Sequence, residues 1–259
     1  MALYGFDAKP ISRLRGDSVA KAASYILREN IYDPYSGETY YYSHVRDCLY
    51  REILLPENAP REFLDLSKLL AAIERAEKRY DARTGRVVRL TLPNDKEFSD
   101  GERVVLAREY VQGTFLTQGM CVIMAIHAGL NEDPAKNNPH AHVILTDRPV
   151  DANGFCSKKN RSWNKVEQLQ KWRKLWAEVQ NRTFKEKGLD VRVSHESLEV
   201  QDIDRQPTVP LGRAATALER KGIQTENGNR NREIAARQRE QEEERRRRRE
   251  QHRSRQRSR

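Results

Sequence analysis

Residues 137–148 read "NNPHAHVILTDR", a polar loop with a proline followed by β-branched and apolar residues, with two histidines at the junction. Side chains at i and i+2 of a strand project from one face, so His140 and His142 point the same way, about 7 Å apart along the chain. Ala141 faces the opposite layer and is small enough for close packing there. A second apolar run, "CVIMAIH" (121–127), ends in His127. The segment between His127 and His140 contains Gly, Asn, Asp and Pro and reads as a loop. If the two runs pair as antiparallel neighbours, His127 and His140 share one end of the sheet and three imidazoles converge. Three neutral nitrogen donors with open positions describe a catalytic site for a divalent metal rather than a closed structural one. The residues alone leave a second reading open, in which each histidine is a partly exposed polar residue at a strand end.

Outward from that pair, strands alternate with longer helical patterns. "ALYGFD" (2–7) alternates as a strand does, and a basic loop, "KPISRLRG", follows it. "DSVAKAASYILREN" (17–30) then reads as a helix with Asp17 as N-cap and Val19, Ala22, Ala23 and Ile26 at helical spacing. Residues 31–51 read as irregular or weak hairpin, and "REILLPENAP" as a short strand stopped by Pro56 and Pro60. Residues 61–80 carry a helical stripe of Phe63, Leu66, Leu69, Leu70 and Ile73. "RVVRLTLP" (86–93) suits a strand, and Ser99 to Glu102 forms a capping box before a helix reaching about residue 118. A long helix from about Asn164 to Lys187 aligns Trp172, Leu175, Trp176 and Val179; residues 189–212 read as short strand or coil. The expected class is α+β, a mainly antiparallel central sheet flanked by helices. A domain over 1–212 would be followed by a helical to disordered basic tail over 213–259.

Composition narrows the setting. Hydrophobic residues are 37% and charged residues 33%, polar for a fully packed chain. The formal charge is +10, but residues 230–259 hold thirteen Arg against six Glu, a local +7 that leaves +3 elsewhere. Such a tail can contact nucleic acid through phosphates. Cys48, Cys121 and Cys156 are sparse and unpaired in pattern, which favours a reducing cytoplasm over a disulfide framework. No run approaches the roughly 18 apolar residues of a membrane span, and an apolar signal core is lacking at the N-terminus. The expectation is a cytoplasmic chain without membrane insertion.

A metal on a flat sheet can polarise a phosphodiester oxygen, but that chemistry still needs a nucleophile. Tyrosines cluster upstream, at Tyr25, Tyr32, Tyr35, Tyr40, Tyr41 and Tyr42. Tyr25 differs in lying on a helix among Ala20, Ala22, Ala23 and Ser24, small side chains that allow close approach to a sheet or to DNA. A single helical tyrosine is also compatible with a plain core position, and the loop tyrosines with a base-stacking platform.

At these residues the chain resembles the MobA/MobL-type plasmid mobilization relaxases of the HUH endonuclease superfamily. The resemblance rests on "AKPISR", "SVAKAASY", "EILLPENAP", "AIHAG…NPHAHVILTDR", "WRKLWAEVQNR" and "LEVQDIDRQPTVPLG", in the family's order over roughly residues 1–235. It implies an HUH relaxase-like fold and a DNA nickase and strand transferase acting at a plasmid origin of transfer. The family's nucleophile falls on Tyr25 and its metal ligands on His127, His140 and His142. The implied ion is divalent, Mn or Mg, and the implied intermediate is a 5′-phosphotyrosine with a free 3′-OH. The implied partners are single-stranded origin DNA, accessory relaxosome proteins and a transfer coupling protein. Arg13 and Arg15 before the Tyr25 helix, and Lys158, Lys159 and Arg161 after the histidine strand, are expected near the site as phosphate contacts. Glu74 and Glu77, acidic positions in relatives, read here as solvated helix charges. Two departures stand out: Val87 and Arg89 occupy a strand where relatives often carry acids, and Pro210 stands where a histidine is common. A rolling-circle replication initiator and a non-catalytic DNA-binding accessory protein are the competing readings.

Overall fold

In the computed structural model the two histidine-bearing runs are antiparallel neighbours in one sheet, with His127 directly opposite His140. The structure describes residues 4–94, 96–130, 137–204 and 206–257. Residues 2–3, 131–136 of the loop between the histidines, and 258–259 of the tail, for which expectations were set out above, lie outside them. In chain order the elements are β1 (Phe6–Ser12), α1 (Val19–Leu27), β2 (Ile31–Tyr32), β3 (Thr39–Tyr40), β4 (Cys48–Leu54), α2 (Leu66–Ala76), β5 (Arg83–Thr91) and α3 (Asp100–Thr114). Then come β6 (Val122–His127), β7 (His140–Thr146), β8 (Val150–Asp151), β9 (Gly154–Phe155), α4 (Val166–Glu186), α5 (Gly212–Arg220) and α6 (Glu226–Arg257).

The main sheet runs β1-β5-β7-β6-β4, antiparallel throughout. The expected α+β class therefore holds. β6 and most of β7 are buried on both faces, which explains why their sequences are continuous apolar runs rather than alternating ones. One face, with Val88, Leu90, Met124, Ala141, Val143 and Leu145, packs against Leu106, Tyr110 and Phe115 of the α3 region and Trp172 and Trp176 of α4. The other face, with Ile11, Ile123, Ala125 and Ile144, packs against α1 and α2 through Val19, Ala23, Ile26, Leu69 and Ile73. Ser99 and Glu102 form the expected capping box.

Several local expectations change. β1 continues through the supposed basic loop as far as Ser12, because that segment pairs with β5. Ser18, not Asp17, caps α1; its hydroxyl accepts from the Lys21 amide at 3.2 Å and donates to buried Asp33 at 2.6 Å. Asp17 instead accepts from the Ser12 amide and from Arg15. Residues 189–204 and 206–211 contain no strand. Glu77 is not a solvated helix charge: at 4% exposure it meets Arg148 at 2.7 Å and Lys159 at 3.0 Å, and Glu74 pairs with Arg13.

The chain divides into two compact units, Met1–His195 and Glu196–Arg259, earlier than the compositional boundary at 212. In the second unit, Glu219 of α5 holds Arg232 of α6 at 2.8 Å and accepts from Thr225 at 2.8 Å. Where the charge run predicts a frayed helix passing into disorder, the described residues from Glu226 form one helix to Arg257. After Gly228 it contains neither Gly nor Pro to stop it. Among the described residues no helix is long and apolar enough to cross a membrane.

Candidate metal centre and nucleophile

His127 closes β6 and His140 opens β7, so their register brings both to one end of the sheet. His142, two residues further along β7, shares their face, the one covered by α1. The ring centroids lie 5.5 Å (127–140), 4.8 Å (127–142) and 4.8 Å (140–142) apart, and one donor atom from each falls within 4.8 Å of the others. Strand twist and rotamers thus close the roughly 7 Å that an ideal strand leaves between i and i+2.

Hydrogen bonding sets which nitrogens are available. His127 Nε2 lies 2.7 Å from the Ile26 carbonyl, so it carries the proton and leaves Nδ1 as the lone-pair donor. His140 Nδ1 lies 2.7 Å from the Asn138 carbonyl, which leaves its Nε2. A metal-ligating histidine characteristically gives its other N–H to a carbonyl in this way. His142 is 8% exposed, and neither of its ring nitrogens has a hydrogen-bond partner among the described residues. A buried imidazole left unsatisfied is costly unless something occupies it. Burial, reinforced by the neighbouring histidines, Arg89 and Arg28, pushes His142 down to about 2. Burial likewise lowers His127 and His140, so all three stand in the neutral form a cation needs. The donor set fits a divalent ion.

Tyr25 sits in the last turn of α1, 39% exposed, with its ring edge-on to His142 at 5.8 Å and to His127 at 6.4 Å between centroids. The expected small-residue face brings it there: Ala20, Ala23 and Ser24 are buried, and Ser24 donates to the Tyr40 carbonyl at 3.0 Å. Tyr42 stacks edge-on against Tyr25 at 5.4 Å. Arg28 and Asp47 also belong to this cluster, and nothing in the sequence singled them out. The Arg28 guanidinium holds the Asp47 carboxyl below the usual carboxylate range. Arg89 lies directly opposite His142 in the β5–β7 register, exposed on the same face, at one of the positions where the family resemblance led one to look for an acid.

The basic clusters are a correction. Arg13 and Arg15 follow the end of β1 that pairs with Arg83, and Lys159 bonds Asp147, just past the end of β7. That is the far end of the sheet from His140, roughly 20 Å away over the seven residues of β7. The antiparallel order puts the C-terminal ends of β1 and β7 together, away from the histidines. Arg13 is buried against Glu74 and stacks on Tyr35, and Lys159 is shared between Glu77 and Asp147. Arg15 pairs with Asp17 at 2.8 Å. Lys158 and Arg161 are exposed, without an ion pair among the described residues. They border a cleft of about 1080 Å³ with Arg75, Lys78 and Arg83.

The model of the MobA/MobL family matches residues 17–221. The chain belongs to the MobA/MobL family. This MobA/MobL chain is 30% identical over 274 aligned residues to a "Probable mobilization protein MobA" of Bifidobacterium longum (strain NCC 2705), covering 90% of the chain and 47% of that protein. It is 28% identical to "Mobilization protein MobL" of Acidithiobacillus ferridurans (85% and 65% covered). With "Conjugal transfer protein TraA" of Agrobacterium fabrum (strain C58 / ATCC 33970) it shares 29% identity (86% and 22% covered). It thus spans about half the length of the Bifidobacterium relative and about a fifth of TraA. Among solved structures, one described as "Molecular Basis of Vancomycin Resistance Transfer in Staphylococcus aureus" aligns with a TM-score of 0.68 and 34% identity, covering 76% of this chain and all of that one.

Proposed function

We propose that this MobA/MobL chain nicks and rejoins one DNA strand at a plasmid origin of transfer, with Tyr25 as nucleophile. The observation that carries the reading is an exposed phenol on a packed helix, set edge-on to a buried histidine whose two nitrogens have no partner among the described residues. His127 Nδ1, His140 Nε2 and one nitrogen of His142 would hold a divalent cation, Mn or Mg. Such a cation polarises a non-bridging phosphate oxygen and offsets charge developing in the transition state.

Tyr25 Oη forms a bond to phosphorus as the P–O3′ bond breaks; the phenol gives up its proton and the departing 3′-oxygen takes one up. The product is a 5′-phosphotyrosyl strand and a free 3′-OH. One phosphodiester replaces another, so attack by that 3′-OH reverses the step. The Arg28 guanidinium stands 4.5 Å from the centre of the Tyr25 ring, beside the charge that develops as the phenol attacks. Lys158 and Arg161 would hold backbone phosphates at the other end of the sheet, and the arginine-rich helix would add contacts that do not depend on sequence. Accessory relaxosome proteins and a transfer coupling protein complete the proposed assembly, in the cytoplasm.

The test is incubation with the supercoiled plasmid carrying the cognate origin, with Mn²⁺, with Mg²⁺ and with EDTA. Relaxed DNA covalently bound to the protein should form only with the metal, and Tyr25→Phe should bind DNA without forming the adduct. An adduct with the Phe variant would remove Tyr25 from this role. Binding without any adduct in the native chain would favour a non-catalytic accessory protein.

A further inference from the structure

Arg28 follows the last turn of α1 in a left-handed backbone conformation, φ 57° and ψ 43°, where glycine or asparagine sits with less strain. Strain of this kind persists where the surroundings over-determine it. Here they do. Arg28 Nε donates to Asp47 Oδ1 at 2.7 Å and Nη2 to Oδ2 at 2.9 Å, a two-point fork that fixes the plane of the guanidinium. Nη1 donates to the Tyr25 carbonyl at 2.7 Å. Nη2 also lies 3.3 Å from His127 Nδ1, and Cζ stands 4.5 Å from the centre of the Tyr25 ring. The side chain is 8% exposed. Asp47 is tied to the same place by its own backbone, since its carbonyl accepts from the Ala128 amide, one residue past His127, at 2.9 Å.

We propose that Arg28, held by Asp47, is the positioning residue of this site, stacking the Tyr25 ring in place beside the histidines. The inference rests on the nicking role proposed for Tyr25. An ordinary structural ion pair would stop at Asp47. This one continues onto the nucleophile's ring, its carbonyl and a histidine of the triad, through one planar group. The ring face accepts the cation, and that contact limits where the phenol oxygen can swing. A guanidinium only donates, so Nδ1 of His127 beside it must present a lone pair. A cation bound there would take over that lone pair, while the Asp47 fork, the Tyr25 carbonyl and the ring contact stay with Arg28.

The experiment is single-turnover cleavage of a single-stranded origin oligonucleotide in Mn²⁺ by excess native chain, Arg28→Ala, Arg28→Lys or Asp47→Asn, read as the maximal rate of adduct formation and the half-saturating protein concentration, with each variant's fold checked by circular dichroism. Arg28→Ala should lose on the order of tenfold to a hundredfold in the maximal rate of adduct formation, as misplacement of a reacting group does, with the half-saturating concentration unchanged. Arg28→Lys should not restore the rate, since an ammonium keeps the charge but cannot make the fork. Asp47→Asn should show a smaller loss in the same parameter. Added guanidinium should raise the Arg28→Ala rate several-fold, and should fail to do so in the Arg28→Ala/Asp47→Ala double variant. A native maximal rate in Arg28→Ala, full rescue by lysine, or a loss confined to the half-saturating concentration would each overturn the proposal. Failure of the native chain to form any adduct would instead overturn the function assigned to Tyr25. Should Arg28→Ala not fold, Asp47→Asn decides by the same split between maximal rate and half-saturating concentration.

Discussion

Replacing His142 with leucine should make the metal-free protein more stable, not less. The side chain is 8% exposed and both of its ring nitrogens lack a partner among the described residues. Leaving a buried polar group unsatisfied costs about 1–3 kcal/mol. Leucine removes two such atoms and keeps an apolar side chain of similar bulk. Allowing for imperfect repacking, the expected net gain is about 2 kcal/mol. For a unit of this size each kcal/mol moves Tm by about 2–4 °C, so His142→Leu should melt about 4–8 °C higher in EDTA. Saturating Mn²⁺ should reverse the order. A native chain at a hundred times its Kd gains about 2.7 kcal/mol from the ion, and the variant, with a broken donor set, should gain little. Differential scanning fluorimetry in EDTA and across a Mn²⁺ series reads both halves. A variant that melts lower than the native chain in EDTA, or that keeps the full Mn²⁺ shift, would refute the reasoning that this imidazole is held for a ligand.

Three further outcomes follow from the same geometry. Ser18→Ala removes the cap of the Tyr25 helix and the hydroxyl donor to Asp33, which is 1% exposed; urea unfolding should show a loss of about 2–3 kcal/mol. In EDTA, the lowered pKa values of His127, His140 and His142 mean that the unfolded chain, titrating near 6.5, binds more protons than the folded one below that pH. The urea midpoint should therefore fall as pH drops below about 6.5, and fall less in His142→Leu; equal declines would contradict the assignment. Lys158→Gln with Arg161→Gln should lower the salt slope for single-stranded DNA by about 1.4, two phosphates at about 0.7 each, while the rate of cutting a short oligonucleotide spanning the nick is kept.

The parts legible in the sequence were those written in local pattern. Two continuous apolar runs ending and beginning in histidine suggested an antiparallel pair, which the register bears out, and the alternation rule put His140 and His142 on one face. Small residues around Tyr25 announced a helix lying close to the sheet. The illegible parts depend on long-range partners. Glu77 belongs to a helix whose charges read as solvated, yet its partners Arg148 and Lys159 lie 71 and 82 residues on. Arg13, Lys159 and their neighbours were expected beside the histidines because sequence gives strand order poorly; one intervening strand, β5, decides which end they occupy. Arg28 had no signal at all, since an arginine after a helix says nothing of a left-handed turn or of Asp47. Ser18 displaced Asp17 as cap by a single position, within the usual uncertainty of helix ends.

The six residues of β6 are all buried, and the six of β7 beyond its opening His140 are buried as well. Strands enclosed on both faces are among the last parts of a protein to open, and their amides the slowest to exchange with solvent. The three imidazoles therefore hang from the most persistent backbone in the molecule. An ion arriving there would meet donors whose conformational entropy was already surrendered during folding, so its binding energy would go into coordination rather than into ordering the chain.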